Sequence, residues 1–207
     1  MNTRSLPYDP FNLIITGVGG QGNVLGSRLV GNVLARKGFS ITIGETFGAS
    51  QRGGSVMSHM RISARGSFSP QIPKGRAHMI VALEPVEAVR VLTDYGNPSV
   101  QAIVNTRPLH PAGVIAGNIA YPSMEDMKTW IRELSAKAWF MDATEAAMAL
   151  GNAIFANIIM AGALSGVGLL PFDPDDFQRV IKEQFPPEKA AINMKAFDIG
   201  YQMTQPK

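Results

Sequence analysis

Two short segments carry residue types suited to holding an anion. The first is Gly17-Val-Gly-Gly-Gln-Gly22, which follows the apolar run Leu13-Ile14-Ile15 and precedes a helical pattern. Between a strand and a helix, Gly17, Gly19 and Gly22 let the backbone turn tightly and let a phosphate come close. Gly20 and Gln21 complete the turn. The helix start supplies free N–H groups and the positive end of its dipole. The same glycines also serve close strand–helix packing, and the sequence permits both uses. The second segment is Gln51-Arg52-Gly53-Gly54. It offers backbone N–H groups beside a planar guanidinium that can bond a phosphate or carboxylate through two nitrogens. A hairpin turn with an exposed arginine reads equally well.

Other polar residues point to structure before chemistry. Glu45 stands near where a dinucleotide fold places its ribose-binding acid. His59, between Met57 and Arg61 in an alternating segment, reads as a surface or hydrogen-bonded histidine rather than a ligand. Glu84 reads as a strand-end residue and Glu87 as a partner of a helix dipole, not as paired acids. Asn152 and Asn157 read as buried polar anchors. Absences narrow the chemistry. The chain has no cysteine and three separated histidines, which excludes a disulfide framework, a thiol nucleophile and Cys-held clusters and argues against a His-rich metal site. No Gly-Lys, His-Glu-x-x-His, Gly-x-Ser-x-Gly or Gly-Asp motif occurs. The sequence therefore predicts no catalytic residue and no metal ligand in this chain.

The elements that position these residues alternate. Strands are expected at 12–16, 40–43, 55–62, 79–83, 101–104 and 138–141. The 55–62 strand has Met57, His59 and Arg61 on a partly wet face. Helices are expected from Gly22 to a stop at Gly38, from Pro85 to about Leu92, and from the capping-box-like Ser123–Asp126 with Met127, Trp130, Ile131 and Leu134 as its stripe. Residues 63–75 read as a loop or hairpin return, and 105–122 as loop-like. The segment Ala146–Phe172 has no charge. Its glycines and asparagines, with a break at Gly151-Asn152, favour buried helices over a membrane span. A helix from Asp173-Pro174 and a terminal helix with Ala190, Met194, Phe197 and Tyr201 on one side complete the chain. This order predicts an α/β, Rossmann-like, mostly parallel sheet with helices on both faces and a helical C-terminal segment folded back on the sheet.

At 207 residues, with 45% hydrophobic and 17% charged residues, the chain is expected to form one domain over 1–207. The net charge is +3 and the pI about 9.3. The cations are scattered singly, so no nucleic-acid stripe is expected. Met1–Phe11 lacks the apolar core of a signal peptide, and the expectation is a cytoplasmic protein with no membrane partner.

Taken jointly, Ile14–Gly22, Glu45-Thr-Phe-Gly-Ala-Ser-Gln-Arg-Gly-Gly-Ser-Val56, Ala82–Arg90, Asn157–Gly166 and Asn193–Tyr201 carry a resemblance. The chain resembles the gamma subunit or domain of 2-oxoacid:ferredoxin oxidoreductases. The nearest likeness is to the beta subunit of the indolepyruvate branch. The resemblance implies a small, non-catalytic subunit of an enzyme that oxidatively decarboxylates indolepyruvate or another aryl-pyruvate to an acyl-coenzyme A. Thiamine diphosphate, magnesium and iron–sulfur clusters are then expected on a large partner subunit, with ferredoxin or another electron acceptor served by the complex. The zero cysteines and the missing Gly-Asp-Gly agree with that division. The family context makes coenzyme A the phosphate-bearing molecule expected near Gly17–Gly22 or Gln51–Gly54, and it removes Glu45 from ribose binding. A free-standing dinucleotide-binding reductase is the alternative.

Overall fold

In the computed structural model, residues 6–48 and 54–205 are described. The candidate residues Gln51, Arg52 and Gly53 lie outside them. Six strands form one sheet: β1 (Phe11–Val18), β2 (Ser40–Phe47), β3 (Ser55–Ser63), β4 (Met79–Ala82), β5 (Gln101–Asn105) and β6 (Lys137–Met141). Their spatial order is β2-β3-β1-β4-β5-β6. β1, β4, β5 and β6 pair in parallel. β3 pairs antiparallel with both of its neighbours, so it alone runs against the other strands. The expected mostly parallel sheet is present, with one reversed strand.

That strand arises because β2 and β3 form a hairpin, and β3 takes the place beside β1. Strand-to-strand spacing is roughly 4.8 Å. The insertion therefore moves β2 one strand further from the glycine turn than a dinucleotide fold would have it.

Helices cover both faces. On one face, α1 (Asn23–Arg36) packs with the C-terminal helices α5 (Ala143–Ala149), α6 (Ala156–Val167), α7 (Pro174–Gln184) and α8 (Pro187–Met203). Phe11, Leu13 and Ile15 of β1 share a core there with Leu29, Val33, Ile159, Phe177 and Phe197. The opposite pleat of the sheet, with Ile14, Ile80 and Ala102, packs on α2 (Pro85–Tyr95) and α4 (Met124–Glu133). This is the period-2 division that β-strands impose. The charge-free stretch is broken as its sequence suggests. α5 ends before Gly151, a 3₁₀ turn spans Ala153–Phe155, and α6 follows. Among the described residues no helix is long and apolar enough to cross a membrane. α6 and α8 lie backbone to backbone: a Cβ on Gly200 would stand 1.7 Å from the Ile159 carbonyl oxygen.

Two expectations need correction. The Met57/His59 face of β3 is not wet; both residues are buried. The loop after β3 folds over it. Ile72 is buried and donates its N–H to His59 Nδ1 at 3.3 Å, and Arg61 lies 5.0 Å over the Phe68 ring. Trp130, placed in the apolar stripe of α4, is exposed; Met127 and Ile131 are buried, and Leu134 packs half-buried against the same core.

Candidate functional site

The carboxyl edge of the parallel strands is the place where open α/β sheets hold ligands. Here it contains a cavity of about 800 Å³ lined by Gly19, Gly20, Gln21, Arg107, Leu109, Thr144, Met148 and Asn152, among others. That volume suits a small-molecule site. Gly19–Gln21 come from the turn after β1, Arg107 and Leu109 from the connection after β5, and Thr144 from the first turn of α5.

The turn is held by its own side chains. Gln21 folds inward: its Oε1 accepts from the Val18 N–H at 2.9 Å, and its Nε2 donates to the Leu83 carbonyl at 2.8 Å. A Cβ on Gly17 would lie 2.5 Å from that Oε1, so glycine is needed there to admit glutamine. Gly22 has φ +79° and abuts the Asn157 amide, which donates to the Gly22 carbonyl at 3.0 Å. Gly19 donates its N–H to the Gly54 carbonyl at 2.8 Å, linking the first candidate segment to the end of the second. Of the first segment, Gly19, Gly20 and Gln21 face the cavity, while Gly17 and Gly22 meet protein neighbours.

The polar network behind Thr144 was not foreseen. Asn105, fully buried at the end of β5, donates to the Leu83 carbonyl at 3.0 Å and to Thr144 Oγ1 at 2.8 Å. Its Oδ1 accepts from the Thr144 N–H at 3.2 Å. Leu83 thus receives both Gln21 and Asn105. A polar residue directly after the apolar Ala102-Ile-Val104 was the available signal. Arg107 carried none: it is a single arginine in a loop. It is exposed and makes no ion pair among the described residues. Asn157 is buried, as expected of a polar anchor. Asn152 is exposed and instead caps the 3₁₀ turn through the Ile154 N–H at 2.9 Å.

Two carboxylates on the first turn of α2 stand behind the glycine turn. Glu84, 2% exposed, caps α2 by accepting from the Glu87 N–H at 2.9 Å. Its other oxygen accepts from the Tyr121 hydroxyl and, at 3.5 Å, from the Leu109 N–H. Burial pushes the Glu84 carboxyl above its ordinary range, and neighbouring Glu87 adds to that push; the three donors oppose it. The Tyr121 hydroxyl is pushed far up by burial and by its bond to Glu84. Glu87 accepts from Ser55 Oγ at 2.7 Å and from Arg90 Nε at 3.0 Å. Its carboxylate thus meets a hydroxyl and a guanidinium, a stronger tie than a helix dipole alone. Glu45 stands on β2, its carboxylate 3.9 Å from Arg28 Nε. Among the described residues no group of three His, Asp or Glu side chains could hold a metal ion.

Residues 12–203 match the family described as pyruvate ferredoxin/flavodoxin oxidoreductase. The chain belongs to that family. Among its relatives, the indolepyruvate oxidoreductase subunit IorB of Pyrococcus horikoshii is 36% identical over 191 residues, which is 92% of this chain and 94% of the relative. The corresponding subunit of Thermococcus kodakarensis is 35% identical over the same shares. The solved pyruvate oxidoreductase subunit PORC of Thermotoga maritima superposes with a TM-score of 0.71 at 18% identity, over 94% of this chain and 97% of that one. A 2-oxoglutarate:ferredoxin oxidoreductase from Magnetococcus marinus, solved with 2-oxoglutarate, coenzyme A and succinyl-CoA bound, superposes with a TM-score of 0.72 at 18% identity. The match covers 95% of this chain and 31% of that longer one. The α/β fold described above is shared with these solved oxidoreductase subunits.

Proposed function

We propose that the chain is the small, non-catalytic subunit of a 2-oxoacid:ferredoxin oxidoreductase acting on indolepyruvate or another aryl-pyruvate, and that its cavity holds part of coenzyme A. The observation that carries the first half is the near end-to-end match to indolepyruvate oxidoreductase small subunits. Thiamine diphosphate, magnesium and iron–sulfur clusters belong on a large partner subunit, which passes electrons to ferredoxin. This chain has no cysteine to hold a cluster.

For coenzyme A, the cavity lining offers one cation, Arg107, and one carboxylate, Glu145, so the phosphates belong on the Arg107 and glycine-turn side. The cavity volume suits a nucleotide-sized end of a ligand, Arg107 supplies a guanidinium at its rim, and Gly19 and Gly20 let backbone approach. When bound, coenzyme A accepts the acyl group as a thioester. This chain's part is to grip the phosphates away from that reaction. Gly54 joins the turn through Gly19, which brings the Gln51–Gly54 segment into the same proposal. The dinucleotide alternative has the geometry against it: Gln21 occupies the turn, and β3 separates Glu45 from it.

Co-expression with a thiamine diphosphate-binding large subunit tests the reading. One co-eluting complex is expected, inactive when either chain is omitted, with Arg107→Ala raising the coenzyme A KM about tenfold. A chain that stays monomeric beside the large subunit, or that oxidises a nicotinamide alone, overturns it.

A further inference from the structure

The connection from β5 to α4 is long, and its centre is bare. Between Pro111 and Ala120 no residue is buried, the short α3 (Ala112–Ile115) included. Such a loop has no core of its own to fix its shape. Its two ends nevertheless meet. The Leu109 N–H and the Tyr121 hydroxyl both donate to Oε1 of Glu84. The rings of His110 and Tyr121 also sit edge to face at 4.7 Å. The segment is therefore a loop whose two ends are closed at the base by one buried carboxylate. Arg107 and Leu109, on the near side of that base, line the cavity.

We infer that Glu84 is a positioning residue: by closing the base of the Leu109–Tyr121 loop it holds Arg107 over the glycine turn, ready for an anionic ligand. The inference rests on the coenzyme A reading above. The cap to the Glu87 N–H needs only one oxygen of Glu84. The second oxygen is committed to the loop. A carboxylate kept at 2% exposure with no ion-pair partner among the described residues is costly to bury; donors from two separated points of one loop offset that cost. Arg107 lies between Thr106, whose N–H donates to the Met141 carbonyl at 3.0 Å, and the Leu109 base; with the base released it would have freedom to lose on each binding event, and pinning the base removes that cost beforehand.

The test uses the two-subunit complex and three variants. Glu84→Asp keeps a good capping residue but is one methylene too short to reach Tyr121. Tyr121→Phe removes the hydroxyl alone. Arg107→Ala removes the cation. Hydrogen exchange over 109–121, measured without ligand, is expected to quicken at least tenfold in the first two variants and not in the third. The coenzyme A KM is expected to rise about tenfold in Glu84→Asp and Arg107→Ala, with the 2-oxoacid KM moving less than twofold. The double variant should be no worse than Arg107→Ala, since both act through one cation. Unchanged exchange in Glu84→Asp and Tyr121→Phe overturns the latch. Quickened exchange with an unchanged coenzyme A KM overturns the positioning role, provided Arg107→Ala raises that KM. An Arg107→Ala complex with an unchanged coenzyme A KM overturns the coenzyme A reading itself, and the positioning role with it.

Discussion

Gln21 occupies the space that a side chain on Gly17 would take: a Cβ there stands 2.5 Å from Gln21 Oε1. The glycine motif of this chain therefore surrounds a glutamine amide that serves two backbone groups, at Val18 and Leu83. Part of what looks like a phosphate cradle is a self-filled turn, and only its outer edge, Gly19 to Gln21, is open to the cavity.

Gln21→Ala is expected to leave the Val18 N–H without its partner and the Leu83 carbonyl with Asn105 alone. An unmade buried hydrogen bond costs roughly 1–3 kcal/mol, and for a chain of this size each kcal/mol lowers Tm by about 2–4 °C. A fall of roughly 3–8 °C by calorimetry is the expected result. Gln21→Glu should be at least as damaging, because a carboxylate keeps the Val18 bond but faces the Leu83 carbonyl with no proton to donate. A melting curve unchanged in both variants would show that the amide does not hold the turn.

Gly200→Ala tests the α6–α8 contact. The atom that a new Cβ would meet is the Ile159 carbonyl oxygen, at 1.7 Å. Backbone cannot rotate aside, so the two helices must separate. Overpacking costs about 1–3 kcal/mol and sometimes more, and a backbone clash of this depth belongs at the upper end. The urea midpoint should fall accordingly, with the same direction for Gly162→Ala, whose Cβ would meet the Phe197 carbonyl oxygen at 2.0 Å.

The sequence spoke clearly wherever a local rule sufficed. Asp173-Pro174 opens α7 with a capping box, and Gly151-Asn152 breaks the charge-free stretch. The reversed strand was not legible. Ser55–Ser63 shows an alternation that is the same for either strand direction, and β3's position beside β1 is a long-range pairing with no local signature. The polar network behind the site was hidden for a related reason. Asn105, Thr144 and Leu83 are far apart in sequence and converge only where the ends of β4 and β5 meet the first turn of α5. Arg107 has no pattern around it, and only the cavity distinguishes it from other surface arginines.

Asp176 offers a prediction in pH. It accepts from Lys37 Nζ at 2.5 Å, from Arg179 at 3.1 Å and from the Asp173 N–H at 3.2 Å. Burial alone would raise its carboxyl; the Lys37 bond and the other donors outweigh burial and hold it below the ordinary value of 3.8. A group depressed on folding adds stability that is present above the unfolded value and lost as pH falls through the folded one. Asp176→Asn should therefore be less stable than the native chain at pH 7, by about 1 kcal/mol given the exposure of Arg179. The gap should close as the pH falls below 3.8. Denaturation series at pH 7, 5 and 3 check this; a gap that widens in acid contradicts it.

The last prediction concerns Arg52, in the segment Ala49–Gly53 outside the described residues. The flanks of that segment are fixed beside the cavity: the Gly48 N–H donates to the Ser55 carbonyl at 2.7 Å, and the Gly54 carbonyl accepts from Gly19. Arg52 is therefore the candidate to test for an anion held at Gly19 and Gly20. If it bonds a coenzyme A phosphate, a charge-assisted bond of roughly 1.5–3 kcal/mol is at stake. At about 1.4 kcal/mol per decade, Arg52→Ala should raise the coenzyme A KM about 10-fold to 100-fold and barely move the 2-oxoacid KM. Arg52→Lys should recover only part of the loss, because a point charge does not reproduce a planar fork. An arginine that instead bonds a carboxylate of the large subunit gives a different pattern. Both constants then fail together at low enzyme concentration and recover when the subunits are concentrated. Titrating coenzyme A and subunit concentration independently separates the two, and native kinetics with native association would leave Arg52 as a solvent-facing turn residue.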